Sequence, residues 1–212
     1  MKKPKAIFFD IDGTILPFDG IIHHLQETCK HFKVRVLTKS EIMKYTIGYT
    51  ISEAIPKLIP ETEKFIEDFV EYYKNGYNKD VKSIKPFPYV KNVFKYIKMK
   101  KIKIGIITTK LRSQAIVTLD YYKLPYNVAI GRDDVKKRKP NPEPVFKACE
   151  SLVLNPRDCI FIGDHPFDME AAKSAGSLPI GVLTGWGNRK NLKKAGANYV
   201  IKDLRGLKKL IE

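Results

Sequence analysis

The sequence predicts an α/β protein with a doubly wound parallel sheet and an all-helical domain inserted after the first strand. From residue 90 onward, short apolar runs alternate with helical patterns. Such alternation is typical of a parallel sheet with right-handed crossover connections. Between the first apolar run and residue 85, the sequence instead shows helical patterns and no strand pattern.

The first predicted element is a buried strand that ends in two carboxylates. The apolar run 6–9 is followed by Asp10 and Asp12, with Gly13 and Thr14 directly after them. Side chains at positions i and i+2 of a strand point to the same side, and open α/β sheets bind ligands at the carboxyl ends of their strands. We therefore expect Asp10 and Asp12 to face one small volume. A simple Asp-Gly turn is the alternative interpretation.

A helical insertion follows this strand. Helices are predicted at residues 21–32, from a Thr-Lys-Ser-Glu capping box at 38–41, at 52–58, and from 60 to about 73. Residues 79–88 return the chain to the sheet. The sequence thus predicts a core domain of residues 1–16 and 85–212 and a helical cap domain of residues 17–84.

The remaining elements belong to the core domain. Strands are predicted at residues 103–108, 127–130, 158–164, 178–182 and 198–201, and helices at 90–99, 111–121, 142–152, 166–175 and 204–211. Pro142 suits the first turn of a helix and Gly176 suits a helix C-terminus.

Polar side chains follow four of the predicted strands. They are Asp10 and Asp12, then Thr108, Thr109 and Lys110, then Lys139 beyond the third strand, and finally Asp164 and Asp168. Each has a structural alternative: Thr108 could cap a helix, Lys139 could be a surface lysine, and acidic residues suit a helix N-terminus. Their joint occurrence favours one site, because the carboxyl ends of parallel strands share one edge of the sheet.

Composition limits the class of protein. The chain has 212 residues, of which 43% are hydrophobic and 29% charged, as in globular proteins. No apolar run reaches membrane-spanning length, and the run after the basic start is too short for a signal peptide. The three cysteines lack metal-ligand spacing, which predicts reduced thiols in the cytoplasm.

The net charge is strongly positive. Lys and Arg number 39 against 23 Asp and Glu, which gives +16 at pH 7. This charge would attract phosphorylated metabolites or nucleic acid. The basic residues are spread along the chain, with one tight cluster at 136–139. A solvated basic surface is therefore the favoured interpretation, and nucleic-acid binding is unlikely.

These motifs resemble the haloacid dehalogenase superfamily, and in particular its phosphoglycolate-phosphatase-like branch. The segment 10–14 matches the family's Asp-x-Asp-Gly-Thr signature, and 104–110 resembles a strand that ends in Thr-Asn-Lys, with Thr109 in place of Asn. The segments 139–142 and 163–168 match Lys-Pro-x-Pro and Gly-Asp-x-x-x-Asp. The helical insertion lies where this family places its cap domain.

The resemblance implies a Rossmann-like core that hydrolyses a small phosphate monoester through an aspartyl-phosphate. Asp10 would be the nucleophile and Asp12 the general acid and base. Mg²⁺ would be held by Asp10, the backbone carbonyl of Asp12, and Asp164, with Asp168 orienting the ion or its waters. Thr108, Thr109 and Lys139 would bind the phosphoryl group, and Thr108 and Lys139 complete the catalytic set.

Several alternatives remain open at this point. A phosphosugar mutase or an inorganic pyrophosphatase would use the same core. A non-catalytic nucleic-acid-binding or regulatory module is an alternative from a different class. We expect a small phosphorylated metabolite as the partner, no membrane association, and a monomer or homodimer.

Overall fold

The computed structural model describes residues 3–46, 49–79 and 84–212. The chain divides into two units, Met1–Pro17 with Pro86–Glu212, and Phe18–Lys85. This division falls one residue beyond each predicted domain boundary. Within the predicted return segment 79–88, residues 80–83 lie outside the described part of the chain.

The first unit is built on a parallel sheet. Its six strands are β1 (Ala6–Phe9), β2 (Lys103–Ile107), β3 (Val128–Ile130), β4 (Cys159–Gly163), β5 (Leu178–Val182) and β6 (Tyr199–Ile201). Their order across the sheet is β3-β2-β1-β4-β5-β6. The prediction of a doubly wound parallel sheet is confirmed. From β1 the chain first adds β2 and β3 on one side of the sheet and then β4, β5 and β6 on the other. The strand order therefore reverses between β1 and β4, and such folds bind ligands at this point.

β1 forms the centre of this sheet because it is apolar on both faces. All four of its residues are fully buried, as expected for a parallel strand covered on both sides. It pairs with β2 and with β4 in register, so that Phe9 lies opposite Ile106 and Ile162. The carboxyl ends of β2, β1 and β4 consequently lie side by side.

Helices connect the strands. They are α5 (Val90–Met99), α6 (Arg112–Tyr121), α7 (Glu143–Leu152), α8 (Pro166–Ala175), α9 (Arg189–Lys194) and α10 (Lys208–Ile211). A cluster of buried apolar side chains joins α7 and α8 to the sheet, with Phe8 and Phe161 from the strands and Val145 and Ala172 from the helices. Burial of this kind is the main stabilising term for such an α/β layer.

Two helical segments of the first unit differ from the prediction. α9 was not predicted, because five of its six residues are polar or charged; it is held by the Asn188 side chain at its N-terminus and by the buried Leu192. The predicted helix 204–211 is a 3₁₀ turn, Leu204–Leu207, followed by the single turn of α10.

The second unit is helical in its described part. It contains α1 (Asp19–His31), α2 (Lys39–Tyr45), α3 (Ile51–Leu58) and α4 (Ile66–Lys79). The predicted capping box is present, with Thr38 accepting from the Glu41 backbone and Glu41 reaching back to Thr38. The segment Pro60–Phe65, predicted as the start of one long helix, is instead a 3₁₀ helix that precedes α4.

Two further expectations concern membrane-spanning helices and the cysteines. In the described ranges, no helix has both the length and the apolar character needed to cross a membrane. Cys29, Cys149 and Cys159 are buried, free thiols.

Candidate active site

A tight turn positions the two carboxylates that follow β1. The backbone N–H of Asp10 donates to the Ile162 carbonyl at 3.0 Å, which extends the ladder between β1 and β4 by one residue. Gly13 then adopts a left-handed backbone conformation, with φ +80°, which glycine tolerates at little cost. The carbonyl of Ile11 accepts hydrogen bonds from the Thr14 and Ile15 amides. The turn therefore fixes Asp10 and Asp12 at the sheet edge.

Asp164 is held at the end of β4 by groups from two separate loops. Its Oδ1 accepts from the Thr14 hydroxyl at 3.3 Å, and its Oδ2 accepts from the Trp186 backbone N–H at 2.7 Å. A side chain at Gly185 would overlap the Asp164 carboxylate. The loop after β5 can therefore wrap Asp164 only because residue 185 is a glycine.

Asp168 occupies the first turn of α8 and is fully buried. Its Oδ2 accepts from the His165 backbone N–H at 3.0 Å, and its Oδ1 lies 2.6 Å from the Lys139 Nζ. A Cβ at Gly163 would overlap this carboxylate, so Gly163 gives Asp168 access to the site. Because both oxygens of Asp168 are engaged, its geometry suits a residue that orients a metal ion or its waters.

Lys139 lies between two of the carboxylates. Besides Asp168, its Nζ contacts Asp10 Oδ1 at 3.1 Å and the Ile107 carbonyl at 3.4 Å. The Lys139 side chain is only 5% exposed. Burial alone would lower the pKa of Lys139, but the Asp10 and Asp168 carboxylates outweigh it and raise the pKa above its ordinary value. Lys139 is therefore a fixed cation beside the proposed nucleophile.

The other residues of the edge follow β2. Thr108 is buried, and its hydroxyl accepts from the Lys110 backbone N–H at 3.2 Å. Thr109 is half-buried. The Lys110 Nζ lies 3.1 Å from Asp12 Oδ2. The sequence places Lys110 at this strand end but indicates no role for it, and the ion pair with Asp12 is the contact that sequence reasoning missed.

The three acids Asp10, Asp164 and Asp168 form a compact cluster. Each offers a carboxylate oxygen, and these oxygens lie within 4.8 Å of one another. The Asp12 side chain is engaged instead by Lys110, which agrees with an expected metal ligand at the Asp12 backbone carbonyl rather than at its carboxylate. An all-oxygen donor set of this kind suits a hard divalent cation such as Mg²⁺.

Burial raises the pKa of these carboxyl groups. The pKa of Asp10 rises to about 6, because burial and the nearby Asp168 outweigh Lys139. Burial also raises the pKa of Asp164, further increased by Asp168 and Asp10, and it raises the pKa of Asp12 against the opposing effect of Lys110. Crowded, desolvated carboxylates favour either a proton or a cation, so these residues fit a divalent ion.

His165 lies beside the cluster but has a structural position. Its Nδ1 accepts from the Phe167 backbone N–H at 3.1 Å, and its ring packs on those of Phe167 and Trp186. Burial, with a contribution from Lys139, lowers its pKa to about 4. His165 is thus neutral at pH 7 and caps α8.

Comparisons with known proteins agree with this geometry. The family model described as haloacid dehalogenase-like hydrolase matches residues 7–182. A protein of Caldanaerobacter subterraneus subsp. tengcongensis, provisionally named pyrophosphatase PpaX, is 31% identical over 214 aligned positions, which cover 99% of this chain and 96% of that protein. A phosphoglycolate phosphatase of Aquifex aeolicus is 29% identical over 86% of each chain.

A solved structure shows the same fold. A haloacid dehalogenase-like family hydrolase from Streptococcus pneumoniae superposes with a TM-score of 0.87 over the whole of both chains, at 22% identity. The extent of the family match, which includes the segments that carry every acid of the cluster, establishes the relationship. This chain belongs to the haloacid dehalogenase-like hydrolases.

Proposed function

We propose that this protein is a Mg²⁺-dependent phosphatase that cleaves small phosphate esters through an aspartyl-phosphate formed on Asp10. The observation that carries the proposal is the convergence at one sheet edge of Asp10, Asp164 and Asp168, whose carboxylate oxygens lie within 4.8 Å of one another, with Lys139 in contact with Asp10 and Asp168. Relatives named as phosphatases support the same class of reaction.

Asp10 would attack the phosphorus atom. Its carboxylate contacts Lys139 and belongs to the acidic cluster, and a carboxylate nucleophile divides a difficult displacement into two easier steps. Repulsion between a carboxylate and a phosphoryl dianion opposes this attack: two unit charges at ~4 Å repel by about 4 kcal/mol at an intermediate dielectric. A bound divalent ion would offset this repulsion and neutralise charge on the phosphoryl oxygens.

Asp12 would transfer the protons. It would protonate the leaving oxygen in the first step and deprotonate the attacking water in the second, which are the two roles of a general acid and base. Burial raises its pKa, which favours the protonated form needed at the start. Its Oδ1 is buried and has no hydrogen-bond partner in the described part of the chain, as suits an oxygen that meets substrate.

Lys139 and Thr108 would bind the phosphoryl group. Lys139 supplies a buried positive charge next to Asp10, and the Thr108 hydroxyl lies at the end of the neighbouring strand. Thr109 adds a hydroxyl at the same strand end. For the helical unit Phe18–Lys85 we propose the role of a substrate-selecting cap, as the resemblance implies.

Phosphate release decides whether this proposal holds. With Mg²⁺ present, the wild-type protein should release inorganic phosphate from 2-phosphoglycolate or pyrophosphate, and excess EDTA should abolish the release. Asp10→Asn should lower turnover below detection while its circular dichroism spectrum stays unchanged. Asp19→Asn removes an exposed carboxylate and should behave as wild type.

A second measurement addresses the covalent step. In Asp12→Asn, the second step lacks its base, so a phosphoryl group should remain on the peptide that contains Asp10 and be detected by mass spectrometry of rapidly quenched protein. Full turnover in Asp10→Asn, or a phosphoryl group found elsewhere on the chain, would refute the proposed mechanism.

A further inference from the structure

Two lysines of the site, Lys139 and the partly buried Lys110, serve different carboxylates. Lys139 contacts Asp10 and Asp168, on the side of the nucleophile and the acidic cluster. Lys110 contacts Asp12, the proposed acid and base. The side chains of Lys110 and Asp12 are 10% and 12% exposed, so this second ion pair is largely removed from solvent. The phosphoryl-binding role assigned to Lys139 does not explain a second cation on the Asp12 side.

The position of Lys110 relates it to the leaving group. A residue that protonates the leaving oxygen must come within hydrogen-bond reach of it, about 3 Å. The Lys110 Nζ lies 3.1 Å from Asp12 Oδ2, and the other oxygen of the same carboxylate, Oδ1, is the one proposed to meet substrate, so a single carboxylate group separates Lys110 from the leaving oxygen. An ammonium group has three N–H donors and can contact Asp12 and a second anion together.

The low exposure of Lys110 makes its charge selective. Coulomb interactions weaken in proportion to the dielectric constant, so a cation in a largely desolvated position attracts an anion more strongly than one in bulk water does. A neutral leaving group gains little from the same cation. The backbone holds Lys110 in place, since its N–H donates to the Thr108 hydroxyl.

We infer that Lys110 is a specificity-determining residue that favours substrates whose leaving group carries a negative charge of its own, on a carboxylate or a second phosphate, over esters of uncharged alcohols. The inference rests on the proposed function, because it assigns Asp12 to the leaving group. It narrows the substrate class to a phosphoryl group joined to a second negative charge.

A matched pair of substrates isolates this charge. 2-Phosphoglycolate and 2-hydroxyethyl phosphate are similar in size and differ in a carboxylate against a hydroxymethyl group. The ratio of their kcat/KM values cancels any general damage to Asp12, which both reactions need. Wild-type protein should favour 2-phosphoglycolate, and Lys110→Met should lower this ratio ~10- to 100-fold.

Two control variants test whether the change in this ratio comes from the charge of Lys110. Lys110→Arg keeps the charge and should hold the ratio within ~3-fold of wild type. Arg112→Gln removes a half-exposed cation from the adjacent helix turn and should also leave the ratio unchanged. Thermal unfolding of each variant in Mg²⁺ establishes that the compared proteins are folded.

The outcomes separate the inference from the proposed function. An equal loss for both esters in Lys110→Met would show that Lys110 only positions Asp12, and a wild-type preference for 2-hydroxyethyl phosphate would also overturn the inference. In either case the phosphatase proposal would stand. Absence of Mg²⁺-dependent turnover of every ester and of pyrophosphate by the wild-type protein would refute the proposed function itself, and the inference with it.

Discussion

At the scale of single residues, the site is an arrangement of charges that cannot be isolated from one another. Asp168 anchors Lys139, Lys139 contacts Asp10, and Asp10 shares the acidic cluster with Asp164. The sequence predicted these four residues because each follows a strand or a motif at the same sheet edge. It could not predict the Asp12–Lys110 pair, since that contact depends on the conformation of two loops beyond their strands.

Replacing Lys139 tests the role of the buried cation in this arrangement. Lys139→Met keeps much of the side-chain volume but removes the cation between Asp10 and Asp168, so the phosphoryl group loses a preorganised positive partner. We expect kcat to fall by ~10²- to 10³-fold, the usual effect of losing one such electrostatic group. Steady-state kinetics with saturating Mg²⁺ measures this loss.

A matched variant comes from the same basic segment. Lys137→Met also removes one positive charge, but its side chain is exposed, so near-normal rates are expected. Similar rates in wild type and Lys139→Met would show that Lys139 is structural.

At the scale of elements, glycines and caps decide how the loops reach the site. The strands could be predicted because apolar runs are bounded by turn residues, and each of the six lies within or close to its predicted range. α9 could not, because its single buried Leu192 gives no periodic pattern. The same limit applies to Trp186, whose contribution to Asp164 is a backbone N–H and is therefore independent of its side chain.

The end of α7 offers a test of local backbone strain. Val153 terminates this helix with φ +54° and is 91% exposed. The left-handed conformation costs a β-branched residue about 1–2 kcal/mol, while glycine adopts it freely. Because the Val153 side chain buries almost nothing, Val153→Gly should raise the free energy of unfolding by about 1 kcal/mol, even though glycine gives the unfolded state more chain entropy, which offsets part of the gain.

Urea denaturation measures this change as a higher midpoint with an unaltered slope. Val153→Ala serves as the control, because it removes the β-branch but keeps the Cβ that strains the conformation. A lower midpoint for Val153→Gly would show that the valine side chain makes a stabilising contact.

At the scale of the whole molecule, folding and metal binding are coupled through the acidic cluster. Folding buries Asp10, Asp12 and Asp164 and raises the pKa of each. Their protonated forms are therefore favoured by the folded state. A carboxyl group whose pKa is raised on folding adds stability below its unfolded pKa and loses it as pH rises through the folded pKa.

This coupling predicts an unusual pH dependence for the metal-free protein. The contribution of the acidic cluster to the free energy of unfolding should fall as pH rises from about 4.5 to 7, because the pKa of Asp10 in the folded protein is about 6. His165, whose pKa is lowered to about 4, contributes in the opposite direction over the same range. For Asp10 alone the loss is on the order of 2–3 kcal/mol. Carboxyl groups with a lowered pKa, such as Glu41 at about 2, lose their contribution only as pH falls below this window.

Thermal unfolding in EDTA and in Mg²⁺ across this pH range checks the prediction. Mg²⁺ should raise the melting temperature more at pH 7 than at pH 5, since a divalent ion binds the deprotonated acids. The difference in stability between wild type and Asp10→Asn in EDTA isolates the contribution of Asp10, because His165 is present in both proteins, and this difference should shift against wild type as pH rises. A difference that does not change with pH would contradict the assigned direction of the Asp10 pKa shift.

The central place of β1 in the sheet has a consequence for synthesis of the chain. This very apolar strand is translated before either of its neighbours, and its two edges stay unpaired until β2 and finally β4 have been made. At about 5–20 residues per second, the wait for β4 lasts roughly 8 to 30 seconds. Meanwhile the helical segment between β1 and β2, which forms a compact unit of its own, is already complete. The nascent protein must therefore shield this apolar strand on the ribosome until the last acid of the active site is nearly in place.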